Sequence, residues 1–113
     1  MPQFKLLIQG RNFFMSLDGA MEKQGFYTAR FVTAENLQQA QKTAFEALED
    51  RLERSIQNNP SDPYRFVLVK SEELNPRVEV KSQPGILLYK EWDEAQQKKC
   101  LETLERIFNG NSA

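Results

Sequence analysis

The chain has 113 residues, enough for one domain with its own hydrophobic core and no disulfide or metal staple. Fifteen Lys and Arg face sixteen Asp and Glu, and this balance argues against a nucleic-acid binder, whose affinity rests largely on neutralising phosphate. A single cysteine excludes an intrachain disulfide, the lack of histidine removes the usual neutral-pH base, and no stretch reaches the roughly 18 apolar residues of a membrane span.

The N-terminus, MPQFKLLIQGRNFFMSL, has no basic stretch followed by a long apolar run, so no signal peptide is expected. From Met1 to the polar NGNSA end the chain reads as a complete, soluble, cytoplasmic protein. Residues 3–9 alternate, with Phe4, Leu6 and Ile8 on one side and Lys5, Leu7 and Gln9 on the other, which predicts a half-buried strand ended by Gly10. Residues 11–24 read as a long connector with a turn at Asp18-Gly19. Residues 25–33, GFYTARFVT, predict a second strand, with Tyr27, Ala29 and Phe31 on one face and Phe26, Thr28, Arg30 and Val32 on the other.

Thr33 is the expected N-cap of a helix over about residues 34–57, in which Leu37, Ala40, Ala44, Leu48, Leu52 and Ile56 form one apolar stripe. Pro60 and Pro63 cannot continue it. A third strand is expected over residues 64–70, a short one over 78–81, a turn at Pro84-Gly85 and a last strand over 86–92. A second helix over about residues 93–108 has Leu101, Leu104 and Phe108 in its stripe and Asn109-Gly110 as its stop.

This order predicts a single α+β domain over residues 1–113. Its mainly antiparallel sheet carries two helices on one face in ββαββα order, which a circularly permuted ferredoxin-like sandwich would also satisfy. Helices on one face leave the other to water, yet both faces of the strands are apolar, so a cover is expected. A second copy of the chain is one candidate, because two-fold dimers are the commonest oligomers. Residues 11–24 folding back are the other. The interface candidates are therefore Phe13, Phe14, Met15, Phe26 and Val32.

No catalytic set, metal site or cofactor motif is visible. Most carboxylates fall on polar helix faces, and Cys100 lies beside an apolar stripe as an inert thiol would. Arg11, Asn12 and Arg30 are the one candidate ligand site: two guanidiniums and an amide suit a carboxylate or phosphate. The plainer alternative is that Arg30 pairs with a cross-strand acid. The leading functional expectation is a non-enzymatic, homodimeric binding or interaction module, for a small anionic ligand or a protein partner. A nucleic-acid-associated or antitoxin-like regulator and a small enzyme using Asp, Glu or Cys100 are the alternatives.

Gly10, Asn12 and Phe13, followed by Gly25, Phe26, Tyr27, Thr28, Arg30, Phe31 and Val32, form a recognisable pair of segments. They resemble the opening of a group of small bacterial proteins of unassigned activity, in which a Gly-x-Asn-Phe strand end precedes Gly-Phe-Tyr-Thr-x-Arg-Phe-Val and a helix. The resemblance covers about the first half of the chain, with a weaker likeness at GILLYKEW. It implies a fold and a bacterial origin and carries no activity.

Overall fold

Two long strands, β1 (Gln3–Leu17) and β2 (Ala20–Thr33), pair antiparallel and form the middle of the sheet. The computed structural model describes residues 1–17, 20–74 and 85–110. Outside these fall the expected Asp18-Gly19 turn, the expected strand over 78–81 and Pro84. After β2 come α1 (Leu37–Leu52), β3 (Arg65–Leu74), β4 (Leu87–Lys90) and α2 (Glu94–Gly110). β3 pairs with β1 and β4 with β2, both antiparallel, giving the order β3-β1-β2-β4. The α+β class, the antiparallel sheet and the ββαββα order are as the sequence predicts.

Within the expected connector over residues 11–24, residues 11–17 and 20–24 are instead strand. β1 passes through a bulge at residues 11–12, where Gly10 pairs with Phe26 and Phe13 with Gln24. Asn12 takes a left-handed φ of 61°, which asparagine tolerates better than most residues. The extra residue reverses the alternation. Before the bulge Phe4, Leu6 and Ile8 share a face; beyond it that face receives Phe13 and Met15. Simple period-two reading breaks at that point.

The first helix is shorter than expected at both ends. Thr33 is still strand, and Ala34 N–H donates to the Pro2 carbonyl at 3.1 Å. The cap is Asn36, whose side chain accepts from Gln39 N–H at 2.8 Å. Past Leu52 the backbone turns to the hairpin for partners: Ile56 bridges to Met15, and Gln57 N–H donates to the Phe14 carbonyl at 2.9 Å. These bonds replace helical ones and end α1 before the prolines.

The helices lie on opposite faces, not on one. α1 buries Ala40, Ala44 and Leu48 against Phe4, Leu6, Ile8, Phe13, Met15 and Phe26. α2 buries Leu104 and Phe108 against Leu7, Tyr27, Ala29 and Tyr89. Each apolar strand face therefore has its own helix within the chain. A ferredoxin-like sandwich, with both helices on one face, is not the arrangement here. The second face, for which a second copy or residues 11–24 were the expected covers, is covered by α2.

Lys5 helps hold α2 in place. Its side chain is fully buried, donates to the Phe108 carbonyl near the helix end and lies 4.3 Å from the Phe108 ring centre. It also pairs with Glu72 at 3.4 Å. A cation near the last carbonyls of a helix is favoured by the helix dipole.

Candidate functional site

Arg30 lies on the α1 face of β2, between Thr28 and Val32 and paired in register with Leu6. α1 crosses this face. Its Ala44 and Leu48 are buried, while Thr43, Ala47 and Arg51 border the gap that remains between helix and strand. Small side chains at 44 and 47 hold that gap open. The result is a cleft of about 430 Å³, within the usual range for small-molecule sites of roughly 300–1,000 Å³.

Two kinds of group line the cleft. Arg30 and Arg51 supply guanidiniums, and Thr33 and Thr43 supply hydroxyls. Val32, Ala44, Ala47 and Leu48 supply apolar carbon. Arg30 is only 8% exposed, whereas Arg51 is on the surface. Burial first, and the neighbouring charge of Arg51 second, hold the Arg30 guanidinium below the usual arginine range. An anion placed between them would relieve that repulsion. Guanidiniums bind carboxylate and phosphate through paired N–H donors. The guanidiniums offer this cleft N–H donors, and the threonine hydroxyls can both donate and accept.

The three residues expected to form one anion site are divided. Arg30 belongs to the cleft, and Arg11 and Asn12 line a separate polar hollow with Asp62, Arg65 and Glu91. The bulge in β1 and the register of the hairpin separate them: residue 11 lies opposite the start of residues 25–33, five residues from Arg30. Asn12 Nδ2 donates to Asp62 Oδ1 at 2.8 Å and to the Pro63 carbonyl at 3.1 Å, while its backbone N–H donates to Glu91 Oε1 at 2.5 Å. Asn58 Nδ2 donates to the Asn12 carbonyl at 2.7 Å. Lys23 also reaches Asp62, and its hydrogen bond, with that of Asn12, draws the Asp62 carboxyl below its ordinary range. These contacts fasten the 53–63 loop to the bulge. Asn12 is an architectural residue in this network.

Arg51 was absent from the expected site. It lies three residues after Leu48 and four after Ala47, the spacing that puts a residue at the border of the buried stripe. A cation at such a border was the available signal.

Of the interface candidates, Phe13, Met15 and Phe26 are buried in the α1 core, where Phe13 stacks on Tyr64 with ring centres 4.6 Å apart. They are unavailable to a partner. Phe14 and Val32 are partly exposed, and Val32 borders the cleft. Cys100 is half-buried, its thiol 3.7 Å from the Leu88 carbonyl. Burial pushes that thiol up, and the charge of Lys99 offsets this only in part. Such a thiol is a poor nucleophile. No group of three or more acidic or cysteine side chains placed to hold a metal occurs among the described residues. No helix among the described residues is long and apolar enough to cross a membrane.

Comparison with known proteins finds no matching family model, no matching curated protein and no matching solved structure.

Proposed function

We propose that the protein is a small, cytoplasmic, non-enzymatic binding module that takes an anionic ligand in the cleft between α1 and β2. The observation that carries this reading is the convergence of Arg30 and Arg51 on one cleft beside apolar carbon. Like charges held close in a partly desolvated place cost stability, and an anion offsets that cost. The polar hollow at Arg11 and Asn12 is the weaker candidate, because Asp62 and Glu91 already supply negative charge there. In this reading the monomer is the binding unit. A homodimer cannot meet through a bare sheet face, since each face carries its own helix.

The test is a thermal-shift titration with phosphate, sulfate, acetate and octanoate. At least one should raise Tm saturably, as a ligand selective for the native state must. Arg51→Gln, a surface change that leaves the core intact, should abolish the shift. A wild-type protein with no saturable response to any of the four, or a variant that responds equally, rejects the reading.

A further inference from the structure

We infer that the ligand is an amphipathic monocarboxylate, a carboxylate head on an alkyl or aryl body, and not a phosphate or a polyanion. The inference rests on the anion-binding reading of the same cleft and names the ligand class. Its basis is a lining that sets two guanidiniums beside apolar carbon.

Arg30 and Arg51 supply the cationic groups of the cleft, and Thr33 and Thr43 add hydroxyls to its lining. Two guanidiniums offer forked N–H donors that match the two oxygens of a carboxylate. The remaining lining comes from Phe31, Val32, Ala44, Ala47 and Leu48, all apolar residues. A small hydrated anion would meet the guanidiniums and leave that carbon wet. A ligand with an apolar body removes it from water, and each methylene buried there strengthens binding by roughly three- to fourfold. A polyanion fits poorly, because charge beyond the two guanidiniums would be pressed against carbon without a partner. The volume of about 430 Å³ leaves room for a body of several carbons beside the head. Ala44 and Ala47 matter because a larger side chain at either place would occupy that room.

The experiment is calorimetric titration of the full chain with acetate, butanoate, hexanoate and octanoate, with inorganic phosphate and neutral octanamide alongside. Affinity should rise along the carboxylate series by roughly threefold or more per methylene until the cleft is full. Octanamide should bind at least about tenfold more weakly than octanoate, since it lacks the charge that the guanidiniums hold. Arg51→Gln should weaken every carboxylate. Ala47→Leu, at an exposed position on the cleft wall, should weaken octanoate by about tenfold or more and leave acetate unchanged, a split that a merely unfolded variant cannot give. If acetate or phosphate binds as tightly as octanoate and still depends on Arg51, the amphipathic class is overturned and the anion site stands. If octanamide equals octanoate, the carboxylate is overturned. If no anion shows Arg51-dependent binding, both readings fall.

Discussion

Gly10 lies directly under the ring of Phe26, its partner across the central hairpin: a Cβ at residue 10 would meet Phe26 Cε2 at 2.0 Å. Phe26 is fully buried between Phe13 and Phe66, so its ring has nowhere to move. Gly10→Ala should therefore destabilise by about 1–3 kcal/mol, the usual cost of overpacking. Urea unfolding should show the loss as a lower midpoint at unchanged slope. An unaltered midpoint would mean that the ring is free to shift. Gly25 stands in the same relation to Tyr89, with 2.4 Å to its ring Cζ, on the opposite face.

Asn12 serves through both backbone and side chain, and two substitutions separate the parts. Asn12→Gly keeps the left-handed turn and loses the bonds to Asp62 and Pro63. Asn12→Ala loses the same bonds and, unlike Asn12→Gly, keeps a Cβ at positive φ without asparagine's tolerance for it, a strain of roughly 1–2 kcal/mol relative to glycine. Asn12→Ala should unfold first in a thermal melt. Equal melting temperatures would assign the whole effect to the side chain.

Lys5 anchors the end of α2. Lys5→Ala leaves the Phe108 carbonyl without that donor and removes the stem packed on the Phe108 ring. The expected loss is about 1–3 kcal/mol. Lys5→Met restores the stem without the donor and should recover part of it. Hydrogen exchange should accelerate in the last turns of α2 before it does in α1. Uniform acceleration across both helices would contradict a local anchoring role.

Alkaline pH should destabilise the fold. Burial raises the Tyr89 hydroxyl, with the Gln9 hydrogen bond opposing, and burial followed by a hydrogen bond to Glu49 raises Tyr64. Burial also raises Cys100. Groups that hold their protons more tightly when folded stabilise fully below their unfolded values, about 8.5 for Cys and about 10 for Tyr. That contribution is lost as pH rises through the folded values. Stability should be flat near neutrality and fall above about pH 9. Tyr64→Phe should make the fall shallower. A decline of the same steepness in the variant would exclude Tyr64 as a source.

Cys100 should react slowly with iodoacetamide at pH 8 in the native protein and rapidly after unfolding, because its raised thiol is seldom ionised and is half-buried. Equal rates would show that the helix edge opens freely.

The ββαββα order could be read from the sequence because each element carries a local signal: alternation in residues 3–9 and 25–33, the three- and four-residue stripe through Ala40, Ala44 and Leu48, and that through Leu104 and Phe108. The faces of β2 could be read for the same reason, with Phe26, Thr28, Arg30 and Val32 opposite Tyr27 and Ala29. Local pattern states that a residue is buried. It does not state what buries it. Hence apolar content on both strand faces suggested a second copy of the chain, when α2 was the cover.

The other differences share that cause. Residues 11–17 show broken alternation because a bulge reverses their faces, and a bulge is defined by its partner strand. α1 ends at Leu52 because Met15 and Phe14 offer the following residues backbone partners from far along the chain. The grouping of Arg11, Asn12 and Arg30 was split by hairpin register, and Arg51 joined Arg30 through the crossing of α1 over β2. What residues 1–113 determine alone is the identity and amphipathic direction of the elements, since these follow from side-chain period. Only the tertiary structure decided which helix covers which face and which charges meet, because both depend on contacts between residues distant in sequence.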